Sequence, residues 1–198
     1  DIPMVLLSSA RVFRYNEVGS LEDDDMTGDE RLIALENKAR QQLRHLILRV
    51  NQPFSLFSGD LAVQLLAQAR NQQSLALDNL TRIAPTPADD IAQVLHAVLQ
   101  QIGCDESLWG TYHYCSVEST TEYGFAEALL AEARQYEDLA DVRLEELDDA
   151  DCEPRETILE SRLIKHTFGI KPKPWRQALS RLMRSYYRAD SKNNKVST

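Results

Sequence analysis

Asp29-Glu30-Arg31-Leu32-Ile33-Ala34-Leu35-Glu36-Asn37-Lys38-Ala39-Arg40-Gln41-Gln42-Leu43-Arg44-His45-Leu46-Ile47-Leu48-Arg49-Val50 is the stretch whose reading decides the fold class. Leu32, Leu35, Ala39, Leu43, Leu46 and Val50 recur at alternating three- and four-residue steps. That spacing lays one apolar stripe along a helix, so it predicts a single helix over 29–50, stopped by Pro53. A second helix is expected over 59–70, with Leu61, Leu65, Leu66 and Ala69 facing inward. The best-signalled helix follows. Thr86 can cap it, Pro87 suits its first position, and Asp89 and Asp90 favour the positive end of its dipole. Ile91, Val94, Leu95, Val98, Leu99 and Ile102 form its apolar face before Gly103 ends it.

Upstream, residues 3–15 alternate loosely through Val5, Leu7, Val12, Phe13 and Tyr15 and read as a short extended element. Residues 17–30 hold the run Glu22-Asp23-Asp24-Asp25, and clustered acids with little to bury predict an exposed acidic linker. Downstream, Trp109, Tyr112, Tyr114 and Val117 suggest a short strand or an aromatic loop, read as core packing rather than a stacking surface. Helical signals return at Glu122 with Phe125, Leu129, Leu130, Ala133 and Tyr136. A break is expected at Asp148-Asp149-Ala150-Asp151, then a helix over 154–167, a last helix over 175–188 and a frayed end over 191–198.

These readings predict a mostly α-helical single domain with a short extended N-terminal element and a basic C-terminal helix-turn-helix-like appendage. Its parts are 1–28 (extended segment and acidic linker), 29–153 (helical core) and 154–198 (basic helical pair with its tail). The charge is split the same way. Residues 161–198 carry ten Lys/Arg and one acid, whereas the preceding residues hold 12 Lys/Arg against 30 Asp/Glu. Arg181, Arg184 and Arg188 share one face of the last helix, with Lys171, Lys173 and Arg176 nearby. Such a cationic face fits phosphates or an acidic protein surface. The acidic stretch 137–160 is an internal competitor for it.

Arg40 and His45 have the R-x4-H spacing that resembles the signature of HEPN-type ribonucleases. That resemblance implies an all-helical scaffold on which the two side chains act across a dimer interface. Five residues along an ideal helix turn by roughly 500°, so the pair diverges by about 140° within one chain. Surface Arg and His on an amphipathic helix is the simpler reading.

Other chemistry finds less support. Cys104, His113, Cys115 and Cys152 could donate to zinc, but their spacing matches no zinc motif and free thiols are the simpler expectation. The acids Asp138, Asp141, Glu145, Glu146, Asp148 and Asp149 read as a solvated face. Seven glycines include neither a phosphate loop nor a dinucleotide fingerprint, and no nucleophile elbow occurs. No metal and no cofactor are therefore expected. An odd cysteine count, no signal-like leader and no apolar run near ~18 residues point to a cytoplasmic chain without a membrane span. The function these features favour is a non-catalytic adaptor or accessory subunit. It would join other protein subunits and hold DNA, RNA or an acidic partner on its C-terminal helix. The dimeric HEPN-like ribonuclease is the alternative.

Overall fold

In the computed structural model, which describes residues 2–56, 59–147 and 157–193 (backbone alone for 189–193), the stretch 29–50 is not one helix. Helix α1 (Glu30–Arg40) starts on Asp29, whose carboxylate accepts the backbone N–H of Arg31 at 2.9 Å and of Leu32 at 3.4 Å. The chain turns through Leu43, which is exposed, and resumes as a strand at His45–Val50. Leu46, Ile47, Leu48, Arg49 and Val50 are all buried, so both faces of that strand are covered. A continuous apolar run covered on both faces is an interior strand of a parallel sheet. Periodicity alone does not separate such a run from a buried helix.

The strands are β1 (Met4–Ser9), β2 (His45–Val50), β3 (Pro53–Phe54), β4 (Ser74–Leu77), β5 (Thr86–Pro87), β6 (Gly110–Tyr114) and β7 (Arg143–Glu146). After α1 come α2 (Leu61–Asn71), α3 (Ala88–Ile102), α4 (Glu122–Ala133), α5 (Arg162–Phe168) and α6 (Trp175–Asn193). The main sheet has the order β1-β2-β6, and the pairs β3-β5 and β4-β7 stand apart from it. Every one of these pairings is parallel. The mostly α-helical class is thus corrected to α/β. The error lies in β2, whose Leu46 and Val50 continue the helical stripe that starts at Leu32.

Register fixes what each face of the main sheet carries. Ser8 lies opposite Arg49, and Arg49 opposite His113, so these three polar side chains form one row across the sheet. On the other face Leu46, Leu48, Val50, Tyr112 and Tyr114 pack against Ile91, Val94, Val98 and Ile102 of α3 and Ile164 and Phe168 of α5. A second core joins α2, α4 and α6, with Trp175, Leu179 and Met183 buried among Leu65, Phe125 and Leu129.

The last two helices are therefore no helix-turn-helix appendage. Gly169, at φ +69°, caps α5 in the left-handed region, and the chain then carries α6 away to the other core. The acidic stretch also folds back. Ser20 pairs with Leu159, and the Glu22 carboxylate accepts the His113 backbone N–H at 3.0 Å. The expected break at 148–151 and the start of the 154–167 helix lie outside the described residues, as does the end of the tail. Among the described residues no helix is long and apolar enough to cross a membrane.

Candidate functional site

In open parallel sheets ligands sit outside the carboxyl ends of the strands. Here β1 runs straight into such a place. Ser9 Oγ accepts the Arg11 backbone N–H at 3.2 Å and turns the chain through a single 3₁₀ turn, Ala10–Val12. Ala10, Val12 and Phe13 go inward, which leaves Arg11 and Arg14 on the open side. Residues 27–29 return alongside. Gly28 N–H donates to Val12 O at 2.8 Å and Asp29 N–H to Arg11 O at 2.7 Å. A Cβ at position 28 would stand 2.2 Å from Arg11 O and 2.7 Å from Phe13 O, so the two backbones can meet this closely only through glycine.

The result is an open cavity of about 530 Å³ lined by Arg11, Phe13, Arg14, Tyr15, Thr27, Gly28 and Asp29. Arg14 Nε donates to Thr27 O at 3.1 Å, and Arg11 Nη2 lies 3.5 Å from Asp29 Oδ2. The lining thus holds two guanidiniums and one carboxylate, and that carboxylate also caps α1. The balance is positive, and the forked guanidiniums suit a planar, bidentate anion.

Behind Phe13 lies the polar row. The Arg49 guanidinium sits 4.8 Å from the Phe13 ring centroid and donates to the Glu36 carboxylate at 2.8, 2.9 and 3.2 Å. Ser8 Oγ donates to the same carboxylate at 2.6 Å, and Arg40 Nη2 at 2.9 Å. Arg49 reaches on to Glu22 O at 3.2 Å and Met26 Sδ at 3.1 Å, tying the acidic stretch to the sheet. Burial pushes the Glu36 carboxyl up, but the hydrogen bonds from Arg49 and Ser8 and the two nearby guanidinium charges outweigh it and hold Glu36 below the usual carboxylate range. His113 is pushed down to about 3 by burial and then by the Arg49 charge. It is neutral, and its Nε2 accepts from Arg49 Nη1 at 3.1 Å. Glu22 is raised, chiefly by burial.

The residues singled out from the sequence are scattered. Arg40 ends α1 and engages Glu36 and, at 3.4 Å, Thr111 Oγ1. His45 opens β2, with Nδ1 2.7 Å from Gln42 O. A turn separates them, so the single helix that the ribonuclease pattern assumed does not exist. Lys173 Nζ lies 3.4 Å from Asp90, Arg176 covers the Trp175 ring at 4.5 Å, and Lys171, Arg181, Arg184 and Arg188 are exposed. Arg181 borders a small cavity of about 170 Å³ that also holds Asp89 and Asp90. Cys104 is exposed, Cys115 is buried with Sγ on Leu159 O, and Cys152 lies outside the described residues, as do Asp148 and Asp149. Among the described residues no group of metal-ligating side chains comes together. Tyr112 and Tyr114 are core residues, as the packing reading had it. Arg11, Arg14, Tyr15 and Gly28 were missed. One signal was available: an arginine inside the apolar run 46–50 needs a buried acid.

The comparisons agree with the α/β class. The profile of the RmlD substrate binding domain matches residues 1–188. No curated protein matches the chain. Among solved structures, a dTDP-4-dehydrorhamnose reductase from Clostridium acetobutylicum superposes with a TM-score of 0.81 at 17% identity, over 93% of this chain and 66% of that one. A dTDP-4-dehydrorhamnose reductase from Bacillus anthracis, in complex with NADP, gives 0.78 at 15% identity, over 92% and 65%. A UDP-galactose 4-epimerase gives 0.75 at 12% identity, over 95% and 64%. This chain thus spans about two thirds of the length of these proteins, and at such identities they show the fold alone.

A dinucleotide of the kind held in the Bacillus structure needs a glycine-rich turn from a strand into a helix N-terminus. No Gly-x-Gly-x-x-Gly occurs in this chain, and Asp29, Glu30, Asp89 and Asp90 crowd the starts of α1 and α3. These residues do not fit the dinucleotide. The match across 1–188 also includes α5 and most of α6, and it overturns both the adaptor with a nucleic-acid-binding tail and the HEPN-like ribonuclease. The chain belongs to the RmlD substrate binding domain family.

Proposed function

We propose that the chain binds a nucleoside-diphosphate sugar in the Arg11–Arg14–Tyr15 cavity, as the sugar-nucleotide side of a dTDP-4-dehydrorhamnose reductase-like protein. The observation that carries this is an open cavity at the carboxyl end of β1 whose lining holds two guanidiniums and one carboxylate. A diphosphate brings two adjacent anionic groups, and Arg11 and Arg14 offer two planar donors to meet them. The Arg11–Asp29 contact is long and exposed, so an incoming phosphate displaces it at little cost. Tyr15 supplies a half-buried ring and a hydroxyl at the rim, suited to a base face or a sugar hydroxyl. Asp29, which keeps its place as the α1 cap, sets the negative limit of the cavity. The reading assigns binding and orientation to these side chains and gives none of them a chemical step.

Calorimetric titration with dTDP and a dTDP-sugar tests it. A hydrogen bond to a charged group contributes about 1.5–3 kcal/mol, so Arg11→Ala and Arg14→Ala are each expected to weaken binding by about 10- to 100-fold. Unchanged affinity in the double variant refutes the assignment.

A further inference from the structure

We infer that these 198 residues hold no nicotinamide dinucleotide, and that sugar-nucleotide binding in this chain is independent of one. The inference deepens the sugar-nucleotide reading above and rests on it for the second clause only. A dinucleotide pyrophosphate is held where a parallel strand leads through a close-approach glycine turn into a helix whose first N–H groups are free and whose dipole favours anions. The strand-to-helix passages that lie within the described residues fail that description in different ways.

After β1 the chain enters α1 through Asp29, whose Oδ1 already accepts the N–H groups of Arg31 and Leu32, and Glu30 follows at once. After β5 it enters α3 through Pro87, which has no N–H to offer, and Asp89 and Asp90 occupy the first turn. After β6 it enters α4 through Thr121, whose Oγ1 accepts the Gly124 N–H at 3.1 Å, with Glu122 in the first turn. Before α2, Asp60 holds the cap position, and its carboxylate is engaged by the Ser55 hydroxyl. Each of these starts carries a carboxylate where a pyrophosphate would need positive potential. Helices α5 and α6 have none in their first turns, but α5 is only seven residues long and starts on Ser161, whose Oγ already accepts the Cys115 backbone N–H, while α6 follows α5 rather than a strand and opens on the buried Trp175. The close-approach glycine of this site, Gly28, brings two stretches of the chain's own backbone together and leaves no room for a ligand between them.

The probe is NADPH, and separately NADH, titrated into the folded 198-residue chain. Nicotinamide fluorescence and heat are followed, and a cooperative thermal melt shows that the chain is folded. Because a dinucleotide also carries a diphosphate, the same titration is run on the Arg11→Ala/Arg14→Ala double variant. Two outcomes support the inference. One is no saturation by either dinucleotide up to about 1 mM, the weak end of specific binding. The other is a signal that dTDP displaces and the double variant abolishes, which is diphosphate occupying the sugar-nucleotide cavity. Saturable dinucleotide binding that survives in the double variant overturns it, and so does a dTDP affinity that tightens more than tenfold in saturating NADPH without loss in the double variant. A silent dTDP titration refutes the sugar-nucleotide reading instead, while the dinucleotide titration still decides whether these residues hold that cofactor.

Discussion

Glu36→Gln is the sharpest probe of how the site is held. Glu36 is fully buried and so is Arg49, and the carboxylate gathers Arg49, Arg40 and Ser8. Removing one partner of a buried ion pair costs about 3–5 kcal/mol, because the other charge is left without compensation. The amide introduced at position 36 keeps one acceptor oxygen, and Met26 Sδ, Glu22 O and His113 Nε2 still receive Arg49, which places the expected loss near the lower end, about 3 kcal/mol. With a urea slope of about 2–3 kcal/mol/M for a chain of this size, the midpoint should fall by about 1–1.5 M at unchanged slope. Arg49→Met should cost less than Glu36→Gln, since Arg40 and Ser8 continue to satisfy Glu36. The double variant should lose much less than the sum of the two, because the pair is then removed together. A midpoint shift below about 0.3 M for Glu36→Gln, or strict additivity in the cycle, would refute the reasoning.

Gly28→Ala should separate residues 11–13 from 27–29. Its Cβ meets Arg11 O at 2.2 Å, so a loss of about 1–3 kcal/mol in urea unfolding is expected together with loss of dTDP binding, and unchanged values for both would show that the backbones do not meet as described. The pH dependence has a definite sign. With His113 held down to about 3, the folded chain stays neutral there while the unfolded chain takes up a proton below about pH 6.5, so stability falls by up to about 1.4 kcal/mol per pH step as the medium is acidified towards 4.5. Glu22, raised by burial, acts in the opposite sense, since its protonation favours the folded chain. Below about 4.5 the lowered Glu36 adds to the loss, and that contribution disappears once pH passes its folded value. His113→Gln should flatten the slope between pH 6.5 and 4.5 in urea midpoints taken across pH, and an unaltered slope would mean that His113 does not titrate in the unfolded chain alone.

The helix over 88–102 was legible because its apolar steps, its acids and its terminal glycine agree with one another. Its start was misplaced by one position. Thr86 is no cap; its hydroxyl is drawn inward to Ala84 O and the Ser116 N–H. Strand β6 was half legible: tyrosines at period two have little helical alternative, which left a short strand or an aromatic loop, and the structure shows the strand. Strand β2 was not, because a strand buried on both faces has no alternation, and Leu46 and Val50 happen to continue a helical count begun at Leu32. Losing β2 cost the register, and with it the Ser8–Arg49–His113 row. The cavity was less legible still. Arg11 and Arg14 stand three apart in a segment that reads as extended from sequence, a spacing with no meaning until the 3₁₀ turn at Ala10–Val12 and the close approach at Gly28 bring residues 27–29 against them.

Regional charge pointed to the C-terminal end, whereas the proposed cavity lies at the other, and the reason is physical. The described cations between 162 and 188 are spread over exposed positions of α5, α6 and the segment joining them, where Arg162 meets Glu160, Lys173 meets Asp90 and Arg176 approaches Glu118. The stretch before them is strongly acidic in total, yet it holds the cavity in which guanidiniums outnumber carboxylates. A sum over sequence averages charges that never share a surface. At physiological salt, exposed charges more than about 8 Å apart are largely screened from one another. An anion therefore responds to the two or three groups that line the cavity with it. Asp23, Asp24 and Asp25 lie on exposed backbone, whereas Glu22 turns inward to His113. Two kinds of acid are thereby kept from opposing the arginines: one dissolved in solvent, the other spent on the sheet. Asp29 remains to face Arg11, and its second duty as the α1 cap is what keeps it there.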